Sequence, residues 1–463
     1  MSNNVLPISF WISFVFFVLL CIHGWIQRTK AWGIPAVGVL ATVMAWYHLD
    51  VVLNDYSVYA IQFSPQVLDS AWWQVSGFAL SFIIFVPLVH GFLNSKIVDQ
   101  SSRIAAFLRS RDSLTRVQAP LGPAFRAAAT IWITFSIIAL LRTGFDWQGL
   151  FFPWLGHKAH PWGRGRIGSG FDFLISLIQY VNIFCLSVFG LVAALANTRR
   201  LRNMAILLVF LSWPYVMIDR TRSIMLAVAL PAILSYVFLR LSRRPFAQLA
   251  LIIVAFLAIE AWMHHVFATR SHAARVAGGG AAYNVEEDPR HLGLNMYEEL
   301  CWINTFLDDG TYVPNTGMRY FAEAVNPIPR GLWRNKPEIG IDYAIARGQG
   351  GGSSGQAGVH ATISTGMIGQ GLVNFGIWLG PIAAAFLMSI WVGTLARFDL
   401  KADHAGGILL YVLGLVLTFN LGRDITLLTA YPLIFGYLIV RMVPPSTERT
   451  LKNQYTGQSL QSR

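Results

Sequence analysis

Arg220 and Arg222 stand one residue apart in the turn Asp219-Arg220-Thr221-Arg222 between two apolar stretches, a placement suited to holding an anion. An arginine presents a planar fork that pairs with two phosphate oxygens at once and stays charged at any working pH. Arg142 closes another apolar stretch and Arg423 sits beside Asp424 in a second tight turn, so both join the same candidate set. The competing role for all four is to snorkel to lipid headgroups. Glu260 and His264 lie four apart on one helical face, followed by His265 and Arg270, and could move a proton or hold a metal. A third ligand at a recognisable spacing is missing, so no metal and no cofactor is assigned. His48, Asp50 and Asp55 form a weaker cluster of the same kind.

The densest patch is Pro327-Ile-Pro-Arg330-Gly-Leu-Trp333-Arg334-Asn-Lys336-Pro337. Proline fixes its backbone, Arg330, Arg334 and Lys336 offer donors to an anion, and Trp333 offers an apolar face for a sugar or acyl chain. His360 follows, and is the most accessible titratable group close to this patch in sequence.

The elements that must position these residues are membrane helices. The 463-residue chain is 55% hydrophobic and 13% charged, with 16 Trp and 31 Phe, which is more apolar surface than a soluble domain can bury. Its net charge of +12 would suggest nucleic acid in a soluble protein; here the basic residues must first be assigned to sides of a bilayer, and no nucleic-acid partner is expected. Three cysteines exclude a disulfide framework. The first apolar run lacks a basic leader and a cleavage site, so it is expected to persist in the mature protein.

Stretches able to cross a hydrocarbon core of about 30 Å fall at 5–26, 32–54, 73–95, 127–144, 172–196, 203–218, 223–240, 246–268, 366–395, 405–421 and 425–442. The expectation is therefore an all-α polytopic membrane protein with about eleven transmembrane helices: eight in 1–268, interrupted by a basic cytoplasmic loop at 96–126, three in 365–443, and a cytoplasmic tail at 444–463. With the N-terminus outside, 20 of the 35 Lys and Arg fall on the cytoplasmic side, as the positive-inside tendency requires. The segment 269–364 is then one large extracytoplasmic loop. Within it, Asn295 to Leu307 reads as a capped amphipathic helix stopped by Gly310, and Asn315 to Glu323 as a second ended by Pro327 and Pro329. The glycine-rich run 348–358 reads as a lid or hinge.

At the proline-rich patch the chain resembles bacterial O-antigen or oligosaccharide repeat-unit polymerases of the Wzy type. The resemblance rests on Asn326-Pro-Ile-Pro-Arg330-Gly-Leu-Trp333-Arg334-Asn-Lys336-Pro337, the glycine-rich stretch after it, and Thr362-Ile-Ser-Thr-Gly366-Met-Ile-Gly-Gln370 leading into Asn374-Phe375-Gly376. Arg220-Thr-Arg222-Ser223 and Gly163-Arg164-Gly-Arg166 are similar to arginine-bearing turns of that family. The strong part covers about 50 residues, and Gln370 departs from it, since related sequences often carry Glu there. The resemblance implies a GT-C-like inverting glycosyltransferase of the bacterial inner membrane, without a metal. It would join undecaprenyl-diphosphate-linked glycans, donor and acceptor, on the periplasmic face, with membrane lipids and a chain-length regulator protein as partners. In that reading Arg220, Arg222, Arg330, Arg334 and Lys336 would bind the diphosphate, and Trp333, Arg142, Arg423 and Asn374 the remaining substrate. His360 would be the base, with Glu323 and Glu260 behind it. An O-antigen ligase using the same donor shares these features. A transporter or flippase of lipid-linked glycans would call for ionisable residues along the midplane rather than at the outer ends.

Overall fold

A computed structural model describes residues 6–53, 56–109, 118, 121–153, 158–159, 161–162, 172–217, 222–241, 244, 246–248, 250–255, 257–258, 261–262, 296–329, 331–337, 339–348, 363–401 and 405–442. It is helical, with no strand among the described residues. The principal helices are α1 (Ile8–Ile26), α2 (Gly33–Val43, continuing through a π turn at Met44–His48 to Leu53), α3 (Pro65–Leu93), α4 (Leu121–Arg142), α5 (Asp172–Leu195), α6 (Arg199–Met217), α7 (Arg222–Ser235), α8 (Met296–Asp308), α9 (Met318–Val325), α10 (Ile341–Ala346), α11 (Gly366–Leu400), α12 (Ala405–Leu421) and α13 (Leu427–Met442).

Six stretches are long and apolar enough to cross a membrane: Ile8–Thr29, Gly33–Val52, Pro65–Leu93, Leu121–Arg142, Leu177–Leu195 and Gly366–Leu400. Shorter apolar helices occupy Ile224–Ser235, Phe246–Ala255, Gly406–Leu421 and Leu427–Met442. The expected stretch 203–218 falls in α6, whose first turn carries Arg199, Arg200 and Arg202. Helix α3 begins eight residues before the expected 73, because Ser64 accepts the Val67 N–H and Pro65 starts the helix where a missing N–H costs nothing.

The helices pack as two cores. One joins α1, α2, α3, α8 and α11, from Met367 to Leu400, around Phe17, Tyr47, Trp72, Phe78 and Met367. The other joins α4 to α7, α12 and α13 around Phe125, Phe184, Phe189, Leu410 and Tyr411, and Leu395 of α11 belongs to it as well. Helix α8, from the expected loop, is docked inside the first core: Tyr297 stacks on Trp72 with ring centres 4.3 Å apart, and Asn304 and Gln74 exchange amide hydrogen bonds of 2.6 and 2.9 Å. Asn295 lies outside the described residues, and Asp50 reaches across to accept the Tyr297 N–H at 3.2 Å, capping α8 from α2.

The expected single span 366–395 is divided. Gly376 has φ 77° and ψ −174°, a region open essentially to glycine alone, and the chain doubles back there. Gly371 and Gly380 would stand roughly 13 Å apart along a continuous helix. Instead they meet backbone to backbone, so that a Cβ on Gly371 would lie 2.1 Å from the Gly380 carbonyl oxygen. A short arm, 366–375, therefore packs against a long arm, 376–400. The run has no charged residue on either side of the turn until Arg397, which hides this reversal from a hydropathy reading. The long arm is roughly 37 Å long and α12 roughly 25 Å at 1.5 Å per residue. Only four residues join their ends, so the α12–α13 turn is recessed by roughly 10 Å below the hairpin tip.

Candidate functional site

The recess is built by the short arm of α11, by α9 and by the turn 422–426. Three sets of bonds lock the turn to the arm. Met367 N–H donates to the Gly422 carbonyl at 3.0 Å. The Gln370 amide donates to the Ile425 carbonyl at 3.2 Å and accepts the Ile425 N–H at 2.8 Å. Thr365 donates through its N–H and its hydroxyl to Asp424 Oδ1 at 3.2 and 3.3 Å. The far end of the short arm has carbonyls with no partner inside the helix. Asn315 and Gly317 N–H groups cap the Val373 and Asn374 carbonyls at 3.0 and 3.2 Å, and the Asn374 side chain accepts the Tyr320 N–H at 3.2 Å. Helix α9 is thus fixed at the hairpin tip by its first residues and runs down toward the turn.

Arg319 and Glu323, one helical turn apart on α9, both face inward. Arg319 is 3% exposed; its Nη2 lies 3.4 Å from both Asp424 Oδ1 and the Ile363 carbonyl, while Nε and Nη1 have no hydrogen-bond partner. Gly340 backs directly onto the guanidinium, where a Cβ would lie 3.2 Å from Arg319 Cζ. Glu323 accepts the Thr426 hydroxyl at 2.6 Å. Burial pushes its carboxyl up to about 7; the Thr426 hydrogen bond and Arg319 pull it down, and the Asp424 charge pushes it up. The Tyr320 and Tyr431 hydroxyls are buried without partners beside these groups. A cation with unspent donors next to a carboxyl that titrates near neutrality can hold an anion and take up a proton.

The structure brings one of the expected catalytic residues, Glu323, into this recess. Asn374 is fully buried; it donates to the Gln370 carbonyl at 2.7 Å and accepts the Tyr320 N–H at 3.2 Å, so it positions α9. Arg423 points outward, exposed, while its neighbour Asp424 turns in. Arg142 donates from Nε to the Pro161 carbonyl at 2.7 Å, away from the recess. Lys336 is buried and its ammonium is spent on the Asn326 and Ile328 carbonyls at 2.9 and 2.8 Å, which folds the proline-rich turn. Arg334 is exposed, and Trp333 packs edge-on to Phe321 with ring centres 6.3 Å apart. His48 bonds Ser13 at 3.0 Å inside the first core. Arg220, Glu260, Arg330 and His360 lie outside the described residues, as do Asp55, His264, His265, Arg270 and the glycine-rich run beyond 348; of Arg222 only the backbone is described.

Arg319, Asp424 and Thr426 are the residues that sequence reasoning did not select. The available signal was the pair Arg319 and Glu323 at a spacing of four, opposite Met318 and Phe321. No family model matches the chain, and no curated protein or solved structure matches it.

Proposed function

We propose that the chain is a polymerase of polyprenyl-diphosphate-linked oligosaccharide units, working at the periplasmic face of a bacterial inner membrane. The observation that carries this reading is the buried pair of Arg319, with two unspent donors, and Glu323, a carboxyl titrating near 7, in a recess walled by the short arm of α11, which holds the second half of the family-like block. In the reaction an acceptor hydroxyl attacks the anomeric carbon of the donor sugar. The bond from that carbon to the diphosphate breaks, the lipid diphosphate leaves with the electron pair, and the hydroxyl proton passes to a base. Glu323 takes the proton in this scheme, with His360 and Glu260 as the other bases on offer. Arg319 joins Arg220, Arg222, Arg330 and Arg334 in balancing charge on the leaving diphosphate. Lys336 is reassigned to shaping the turn, since its ammonium is already committed.

The membrane plan that goes with it has eleven crossings, an outward N-terminus and the segment 269–364 on the periplasmic side. Deleting the gene should leave lipopolysaccharide capped with a single repeat unit on an electrophoretic ladder. Loss of all capped lipopolysaccharide would assign the chain as a ligase, and unchanged chain lengths would dismiss both activities.

A further inference from the structure

Helix α9 is polarised the wrong way round for an element in water. Its inward face carries Arg319 and Glu323, at 3% and 7% exposure, while its outward positions are Met318, Phe321 and Ala324, with Met318 51% and Phe321 48% exposed. The following turn continues the outward surface with Ile328 and with Leu332, which is 73% exposed. A helix at an aqueous surface places charge outward and apolar groups inward, and contiguous exposed apolar area marks a surface that meets something apolar.

What it meets is indicated by the neighbouring surface. Phe375 of the short arm touches Gly317 and lies 6.2 Å, ring to ring, from Tyr320. Immediately beyond the hairpin turn, Trp378 and Leu379 begin an outward apolar strip that continues through Ile382 and Phe386 down the long arm of α11, one of the six stretches able to cross a membrane. The α9 surface joins the upper part of that strip. Helix α9 also descends: its first residues are tied to the hairpin tip through Asn374, and Glu323 meets Thr426 in the recessed turn. Its eight residues span roughly 12 Å at 1.5 Å per residue, which matches the depth of the recess.

We infer that α9 and the turn after it are inserted into the bilayer, with Met318, Phe321 and Leu332 against lipid acyl chains. The segment that hydropathy assigns to a water-exposed loop then forms part of the lipid-facing wall, and only this thin wall separates the Arg319 and Glu323 recess from the acyl chains.

The test uses the full chain in phospholipid vesicles and needs no glycan, so its outcome is independent of the polymerase reading. Spin labels on Met318→Cys and Phe321→Cys should collide with oxygen in preference to a water-soluble nickel chelate, as a label on Trp378→Cys does. A label on Thr311→Cys, among the exposed polar residues that follow α8, should show the reverse. Nickel access at 318 and 321 equal to that at 311 overturns the inference, and low access to both reagents overturns it in favour of a covering protein. The unsubstituted chain gives a second reading. Lipids with a diazirine in the acyl chain should leave adducts on the tryptic peptide from Tyr320 to Arg330 as well as on the peptide containing Trp378; adducts on the second alone overturn the inference.

Discussion

Glu323 is held near its titration point by opposing effects, burial against a hydrogen bond and a neighbouring cation. Its carboxyl is raised from an ordinary 4.5 to about 7, so folding favours the protonated form. That contribution to stability is complete below about 4.5 and is lost as pH rises through about 7, for a total of about 3 kcal/mol at about 1.4 kcal/mol per pH unit. Glu323→Gln stays neutral, so it should unfold at a higher temperature than the wild-type chain at pH 8 and at nearly the same temperature toward pH 5, while glycan transfer is lost at both. Thermal unfolding in detergent checks this, and a gap that does not change with pH would remove Glu323 from the role. On the proposed mechanism wild-type transfer should slow as pH falls below about 7, because Glu323 would then be protonated. Glu323 could be named from the sequence because it is a carboxylate at the end of an expected helix near the basic patch. Arg319 could not be separated from the other arginines, since what distinguishes it is burial with donors unspent, and that is a product of packing. The exposed guanidinium of Arg423 beside the inward carboxylate of Asp424 illustrates the same limit: adjacent residues in one turn point to opposite sides, and only the fold decides which.

At the scale of elements, the apolar helices were legible because composition and length alone mark them. The α11 hairpin was not, because the run is apolar enough throughout to read as one span and its turn consumes a single residue. Gly376→Ala would force a side chain into φ 77°, ψ −174°, at a cost of about 1–3 kcal/mol or more, and should lower the unfolding temperature and the folded yield. Gly371→Ala should be worse, since its Cβ would strike the Gly380 backbone, which cannot rotate aside as a side chain could. Purified yield and thermal unfolding read both, and a Gly371→Ala chain with wild-type stability would contradict the close approach of the arms. Gln370, the point at which the chain departs from its family-like block, also has a physical account. Its amide both donates to and accepts from the Ile425 backbone, and a carboxylate could only accept.

Over the whole molecule, the proposed plan of eleven crossings would place the two ends of the chain on opposite faces of the membrane. A fluorescent protein that matures only in the cytoplasm should light up when fused after Arg463, and alkaline phosphatase fused there should stay inactive; the opposite pattern would require an even count. Charge distribution is the basis of that expectation, whereas the division into two cores was not legible, because hydropathy says which residues are inside and not with whom. The seam between those cores carries a dynamic consequence. Glu323 belongs to α9 on the side of the first core, yet its hydroxyl donor, Thr426, leads into α13, and Tyr431 of that helix rests on Tyr180 of α5 in the second. Water keeps the carboxylate charged, and its exclusion is what holds the proton on. Parting the cores to admit a substrate would hydrate Glu323 and release that proton, and closing them would draw one back.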